Sequence, residues 1–217
     1  MSTGPTPVPS IPGKRAFDLA VGGLLLVIAS PVIAASALVI RLTSRGPAFY
    51  RATRVGRGGE PFLMYKLRSM YVTPTAGSPT TGYNDPRVTG VGRFLRAHKL
   101  DELPQLLNVV RGEMSLVGPR PEVLECVVLY DEEEALALEV RPGLTDLASL
   151  EFVDLGAVVG DSLNPHDVYL DQVFRRKNQL RVEYVRRQSW TLDLSILFRT
   201  LASIVSSKGP SDAVPRS

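Results

Sequence analysis

The longest apolar run in the sequence extends from Leu19 to Ile40 and contains no charged residue. At about 1.5 Å rise per residue, a helix of this length reaches across a hydrocarbon core of about 30 Å. A cleaved signal peptide would have a shorter apolar core and a small-residue cleavage site, and the stretch SPVIAASA offers only a weak site of that kind. The run therefore predicts a retained membrane segment, which we place at residues 14–41.

The flanks and the middle of this segment leave its topology open. Basic residues both precede and follow the apolar run: Lys14, Arg15, Arg41 and Arg45. Because positive flanks favour the cytoplasm, they give no direction of crossing. Pro31 removes a backbone donor and kinks a helix, and the hydroxyl of Ser30 can bind a carbonyl that this frees. Two interpretations follow: a kinked spanning helix, and a re-entrant helix-break-helix that returns to the same face.

The remaining sequence predicts short strands followed by helices. The β-prone runs PAFYRATRV and PFLMYKLRSM are joined by the glycine-rich GRGGE, which predicts a β-hairpin. Beyond it, apolar spacing and helix stop signals predict helices within residues 91–99, 101–112, 121–140, 166–189 and 190–207. We therefore expect an α+β fold, mainly helical with a small β-hairpin. The catalytic or binding domain would cover residues 42–206, between disordered ends at 1–13 and 207–217.

Charge is distributed unevenly along the chain. The formal net charge is +3, but residues 41–70 contain seven basic residues against the single acid Glu60. Such a surface suits anionic lipid headgroups or phosphates. A nucleic-acid binder should interleave aromatic with basic residues, and the three tyrosines in and beside this region, Tyr50, Tyr65 and Tyr71, are too few, so we expect no nucleic-acid partner. The single cysteine, Cys126, excludes an internal disulfide and indicates a reducing compartment.

Two adjacent carboxylates are the strongest candidates for chemistry. Asp101 and Glu102 open the stretch LDELPQ, and a rigid turn that contains Arg120 between two prolines follows. Adjacent helical residues point about a hundred degrees apart, so the two acids can perform different tasks at one site. A solvated helix start is the ordinary explanation for such a pair. The nearby basic residues favour instead a phosphate substrate bridged by Mg²⁺, a metal that prefers oxygen ligands such as Asp.

Several long motifs, in a fixed order, resemble a known family. The stretches KRAFDLAVGG, GPAFYRATRVGRGGEPFLMYKLRSM, LDELPQLLNVVRGEMSLVGPRP and RPGLTDLAS resemble the bacterial sugar transferase family, small monotopic phosphoglycosyl transferases. The resemblance covers about residues 14–206. It implies an N-terminal re-entrant helix, broken at Ser30 and Pro31, in the cytoplasmic leaflet of the bacterial inner membrane. It also implies that the protein transfers a sugar-1-phosphate from a UDP-sugar to polyprenyl (undecaprenyl) phosphate and releases UMP. This reaction would be the first membrane step in the synthesis of a polysaccharide, such as an exopolysaccharide, or of a glycoconjugate.

The resemblance further implies a role for individual residues. Asp101 would be a nucleophile that forms a covalent phosphosugar intermediate, with Mg²⁺ bridging Asp101 and the diphosphate. Glu102 would place or deprotonate the lipid phosphate. The substrate-binding residues would be Arg96, Lys66, Arg68, Arg120, Pro119 and Arg141. The partners would be a UDP-sugar, polyprenyl phosphate and membrane lipid, and a homodimer is left open.

Three points qualify this interpretation. Many family members have Gly-Trp-Ala-Gln where this chain has the acidic run Asp146–Glu151, so the sugar stays open between a hexose and an N-acetylated amino sugar. Arg120 could instead fix its turn by pairing with one of three nearby acids, Glu113, Glu122 or Glu125. The chain could also be a catalytically silent, membrane-bound scaffold with a basic surface, although the intact Asp-Glu pair and Arg120 argue against this.

Overall fold

The computed structural model describes residues 10–72, 85–152 and 165–206. Residues 1–9 of the predicted disordered N-terminus, and the whole predicted tail, lie outside this part. The described elements, in chain order, are α1 Lys14–Thr43, β1 Phe49–Val55, a 3₁₀ turn Arg57–Gly59, β2 Pro61–Leu67, α2 Gly90–Ala97, a 3₁₀ turn Leu100–Glu102, α3 Gln105–Arg111, β3 Ser115–Val117, α4 Leu124–Val127, a 3₁₀ helix Glu134–Leu138, β4 Gly143–Thr145, α5 Leu147–Glu151, α6 Pro165–Val168, a π-helical segment Tyr169–Phe174, α7 Arg175–Arg187 and α8 Trp190–Ser206.

The mainly helical α+β fold with a small hairpin is confirmed. Strands β1 and β2 pair antiparallel, from Phe49 opposite Leu67 to Val55 opposite Pro61. A second pair, the parallel strands β3 and β4, was not predicted. Each of these strands has only three residues, too few for alternation to be recognised in the sequence.

The single helix predicted over residues 121–140 is wrong. The structure has the one-turn helix α4 and a separate 3₁₀ helix there. Between them, the Asp131 side chain accepts the N–H of Glu134 at 2.8 Å, while the Glu134 side chain accepts the N–H of Asp131 at 3.1 Å. This reciprocal pair of bonds is a capping box, which starts a new helical turn instead of extending the previous one.

Helix α1 continues through Ser30 and Pro31, so the predicted helix-break-helix is wrong as secondary structure. Proline at position 31 leaves the carbonyl of Val27 without its usual helical donor. The Ser30 hydroxyl donates to this carbonyl at 2.8 Å, as we expected for a serine beside the proline. This bond satisfies the freed acceptor within the helix and removes one reason for a break.

One face of α1 packs against the rest of the protein along both halves of the helix. The first half contacts the main core through Phe17, Val21, Leu26 and Ala29. The second half packs into a smaller cluster through Ile33, Ala37 and Ile40. The opposite face is apolar and exposed, and includes Leu24, Val27, Ile28, Leu38 and Leu42. In the described part of the chain, α1 is the one helix long and apolar enough to cross a membrane.

Polar contacts fix both ends of α1 to the same domain. Near its start, the buried Asp18 carboxylate accepts the N–H of Leu116 in β3 at 3.0 Å, and Arg15 donates to two carbonyls at the end of α3. Beyond its last turn, Arg68 donates to the carbonyl of Ser44 at 2.9 Å. Both ends of α1 are therefore attached to one body.

The Asp18 contact makes a stability prediction. Asp18→Ala should lower the free energy of unfolding by about 1–3 kcal/mol, because the buried N–H of Leu116 loses its acceptor. Thermal unfolding of the purified protein in detergent measures this change. Asp171→Ala, at an exposed position, is the control and should stay within about 0.5 kcal/mol of the parent protein. Equal melting temperatures for the two variants would contradict the anchoring role of Asp18.

Candidate active site

Four segments meet around the carboxylates of Asp101 and Glu102. Both acids lie in the 3₁₀ turn, Lys66 lies in β2, Arg96 lies in α2, and Arg120 follows β3. Lys99, which connects α2 to the acids, has φ of 55° and is the one non-glycine residue in the left-handed region within the described residues. A side chain costs about 1–2 kcal/mol in that conformation, so the surrounding packing holds the turn in place.

Glu102 is held between two cations. Its carboxylate accepts from the Lys66 ammonium at 3.1 Å and from the Arg120 guanidinium. Burial would raise the pKa of Glu102, but Arg120 and then Lys66 outweigh it and lower the pKa to about 2. Glu102 is therefore a fully ionised carboxylate at neutral pH, fixed by charge-assisted hydrogen bonds.

Asp101 has the opposite environment. It is 7% exposed, and its carboxylate makes no hydrogen bond or ion pair with the residues that the structure describes. Burial, reinforced by the charge of Glu102, raises the pKa of Asp101, whereas Lys66, Arg96 and Lys99 act against that rise. A buried carboxylate without a partner is costly unless it serves a ligand or a reaction.

Each of the two arginines of the site donates a hydrogen bond to a neutral group. Arg96 donates from Nε to the Ser69 hydroxyl at 2.8 Å. Arg120 donates to the carbonyl of Leu144 at 2.9 Å as well as to Glu102. The alternative pairing of Arg120 with Glu113, Glu122 or Glu125 is not what the structure has, since its acidic partner is Glu102.

Three predicted binding residues have other partners. Arg68 is buried and its guanidinium binds the carbonyls of Ser44 and Arg45 at the end of α1. Arg141 donates to the carbonyl of Gly112 at 2.9 Å. The Pro119 carbonyl accepts the N–H of Gly143 at 2.9 Å. These groups build the frame around the site, and a substrate role for Arg68, Arg141 and Pro119 stays a prediction.

Two residues of the site were not found from the sequence. Lys99 and Ser69 are adjacent to quoted motif residues, but nothing in their spacing indicates a contact with the acids. The left-handed backbone of Lys99 and the bond from Arg96 to Ser69 both depend on tertiary structure. The sequence offered one signal for each: Ser69 directly follows Arg68, and Lys99 lies two residues before Asp101.

The carboxylates of the site fit Mg²⁺ only in combination with a phosphate substrate. Within residues 10–72, 85–152 and 165–206, no group of three or more His, Cys, Asp and Glu side chains could hold a metal ion. Magnesium does not require such a cage, because it is usually held by one or two carboxylates together with substrate phosphates and water. The free carboxylate of Asp101 fits this arrangement, whereas Glu102 is already bound by Lys66 and Arg120.

Known proteins resemble this chain over most of its length. Residues 10–207 match the family model for bacterial sugar transferases. The chain is 39% identical over 201 residues to a UDP-glucose:undecaprenyl-phosphate glucose-1-phosphate transferase of Caulobacter vibrioides, covering 89% of this chain and 70% of that protein. A protein of the same name from Escherichia coli is 38% identical over 192 residues, which cover 87% of this chain and 39% of the relative.

A third relative is named for another sugar. The UDP-N-acetylgalactosamine-undecaprenyl-phosphate N-acetylgalactosaminephosphotransferase of Aeromonas hydrophila is 34% identical over 200 residues, covering 90% of this chain and 44% of the relative. This chain thus spans less than half the length of the Escherichia and Aeromonas proteins. The match to the family model covers nearly the whole chain, and the protein belongs to the bacterial sugar transferase family.

Proposed function

We propose that this protein transfers a sugar-1-phosphate from a UDP-sugar to undecaprenyl phosphate and releases UMP. The observation that carries the proposal is the buried carboxylate of Asp101, which lies among the cations Lys66, Arg96 and Lys99 and has no hydrogen-bond or ion-pair partner within residues 10–72, 85–152 and 165–206. These charges offset the repulsion between an attacking carboxylate and an anionic diphosphate. Relatives named for glucose and for N-acetylgalactosamine transfer to undecaprenyl phosphate support this reaction and keep both sugar classes open.

In the first half-reaction, an oxygen of Asp101 attacks the phosphorus atom that carries the sugar. The new bond joins that oxygen to phosphorus, and the bond from phosphorus to the bridging oxygen of the diphosphate breaks, so UMP leaves with that oxygen. In the second, a phosphate oxygen of the lipid attacks the same phosphorus and restores the Asp101 carboxylate. A carboxylate can act as such a covalent nucleophile. Mg²⁺, when bound at Asp101, would supply charge neutralisation for the diphosphate.

In this scheme, Glu102 positions the neighbouring cations and does not act as a base. A carboxylate with a pKa of about 2 is a poor base at neutral pH, because it rarely accepts a proton there. Its two ion pairs instead orient Lys66 and Arg120 toward the space beside Asp101. Of the two roles that the family resemblance implies for Glu102, this geometry favours placing the phosphates over deprotonating the lipid.

We further propose that α1 enters and leaves the membrane on one face, the cytoplasmic leaflet of the inner membrane. The support is that Asp18 near the start of α1 and Ser44 beyond its end both bind the same domain. A helix that crossed the bilayer would carry one of these ends away from that domain. The exposed apolar face of α1, with Phe198 and Leu201 on α8, supplies a surface for the lipid.

A catalytically silent scaffold is the weaker candidate. A scaffold needs a surface that binds the membrane, but it has no use for a buried carboxylate such as that of Asp101. Because burying a carboxylate without a partner is costly, selection for stability alone would pair or replace Asp101.

The nucleophile prediction concerns Asp101. Asp101→Asn should fold normally and reduce UMP release by about 10³-fold or more, since a neutral amide cannot form the covalent intermediate. UMP release is measured with Mg²⁺, undecaprenyl phosphate and a panel of UDP-glucose, UDP-galactose, UDP-N-acetylglucosamine and UDP-N-acetylgalactosamine. Asp171→Asn, at an exposed site, is the control. Near-normal turnover by Asp101→Asn would sink the assignment.

The Arg120 prediction separates substrate binding from turn stability. Arg120→Lys should lower kcat/KM for the UDP-sugar, with a loss of about 1–3 kcal/mol, because lysine keeps the positive charge but lacks the planar guanidinium that can bind a phosphate through two hydrogen bonds. The melting temperature should change little. Arg176→Lys, in a surface pair with Glu151, is the matched control and should leave kcat/KM unchanged. A lower melting temperature with normal kinetics would show that Arg120 only fixes the turn.

The topology prediction uses single cysteines at Pro12 and Arg45, on either side of α1. An impermeant maleimide added to intact cells should label neither Pro12→Cys nor Arg45→Cys, and both should react once the inner membrane is opened. The native Cys126 is 1% exposed and gives little background, which the parent protein checks. Labelling of one of the two positions in intact cells would establish a spanning helix instead.

A further inference from the structure

Asp146 is a buried carboxylate outside the catalytic pair whose two oxygens have different partners. It is 1% exposed. Oδ1 accepts the N–H of Ser149 at 2.6 Å, which caps α5 and fixes the carboxylate in the first turn of that helix. Oδ2 accepts the backbone N–H of Arg120 at 3.0 Å. The acid that departs from the common family pattern is therefore directed at the backbone of an active-site residue.

Arg181 of α7 approaches the same carboxylate from the other side. Its Nε lies 3.9 Å from Oδ2 of Asp146, and it has no hydrogen-bond partner of its own among the described residues. The other guanidinium nitrogens donate to Glu122 at 2.8 Å and to Asn178 at 2.9 Å. Arg181 is 2% exposed, and its direct ion pair is with Glu122, so Asp146 is a second and more distant acid beside the same buried guanidinium.

The backbone of Arg120 has limited conformational freedom, so its contact with Asp146 can influence where the Arg120 side chain points. The rings of Pro119 and Pro121 fix the φ angles on both sides of Arg120. The peptide unit between Pro119 and Arg120 is held at both ends, because its N–H donates to Asp146 and its carbonyl accepts the N–H of Gly143. Of these two bonds, the one to Asp146 is made by a side chain and can be removed by substitution. With this unit fixed, the side chain reaches both the Leu144 carbonyl and Glu102.

We propose that Asp146 is a positioning residue that, through its bond to the backbone N–H of Arg120, orients Arg120 toward Glu102 and the UDP part of the donor. The inference rests on the proposed function for the role of Arg120. Contact between Asp146 and the donor sugar is the competing explanation for an acid here. Both oxygens of Asp146 already accept backbone N–H groups and the residue is almost fully buried, so it offers no group to a sugar.

The test compares Asp146 with a matched buried acid whose side-chain partners among the described residues, Asp131 and Arg175, are outside the active site. Glu134 is 6% exposed, accepts the backbone N–H of Asp131 at 3.1 Å and pairs with Arg175 at 2.6 Å. Glu134→Gln therefore removes the same kind of charge from the same kind of environment. Asp146→Ala deletes the acceptor for Arg120, whereas Asp146→Asn keeps an oxygen acceptor and loses only the charge.

Three measurements on purified full-length protein read the effect: hydrogen exchange of the peptide that contains Arg120, calorimetric titration with UDP, and kcat and KM for UMP release. Asp146→Ala should raise exchange at Arg120 and weaken UDP binding by about tenfold, the loss expected for one hydrogen bond to a charged group. KM should rise more than kcat falls. For Asp146→Asn, the exchange at Arg120, the UDP affinity and KM should lie between those of Asp146→Ala and the parent. This variant is used for the test if Asp146→Ala does not fold.

The control decides between positioning and simple stabilisation. Glu134→Gln should lower the melting temperature yet keep exchange at Arg120, UDP affinity and KM within about twofold of the parent. If Asp146→Asn and Glu134→Gln give the same exchange and the same UDP affinity, Asp146 only stabilises the fold and the proposal is overturned. Failure of the proposed function looks different: Asp101→Asn turns over normally, while exchange at Arg120 still reports on Asp146.

Discussion

The ion pairs of Glu102 with Lys66 and Arg120 are the interaction on which the site depends. They join a strand, a 3₁₀ turn and a proline-rich turn that are distant in sequence. A partly buried carboxylate pays a desolvation penalty that only well-placed cations offset. Because Glu102 holds these cations, the carboxylate of Asp101 beside it has no partner in the described part of the chain and lies in a positive environment that suits an anionic diphosphate.

The end of β2 connects this site to helix α1. Lys66 faces Glu102, Leu67 packs in the cluster that contains Ile40 of α1, and Arg68 binds the carbonyls beyond the end of α1. Ser69, the next residue, holds Arg96. Lys66 and Leu67 are neighbours in β2 and point to opposite sides of the strand, whereas Arg68 and Ser69 lie beyond its end. This short segment therefore contacts both the active site and α1, and the polar contacts at both ends of α1 fix that helix relative to the site.

Sequence reasoning succeeded where the signal is local. The hairpin, the helix that ends at Gly112 and the last helix each carry their own stop signals and apolar spacing, and the structure has all three. The prediction over residues 121–140 failed because Asp131 and Glu134 cap each other and start a new turn. The break expected at Pro31 is absent from a helix in which the Ser30 hydroxyl satisfies the freed carbonyl. In both places a short-range hydrogen bond from a side chain decided the outcome. The bonds between Asp131 and Glu134 interrupt a pattern that looked like one helix, and the bond from Ser30 allows one helix where the proline suggested two.

The sequence by itself determined the family, the apolar segment and the identity of the adjacent acids, because motif order, hydropathy and residue type are all properties of the linear chain. It predicted six cationic or turn residues for the substrate, yet could not separate Lys66, Arg96 and Arg120, which surround the acids, from Arg68, Pro119 and Arg141, which support the frame. Only tertiary structure made that separation and revealed the bond from Arg120 to Asp146. The physical reason is that the charge on a side chain is fixed by its chemistry, whereas its partner is fixed by contacts between residues far apart in the chain.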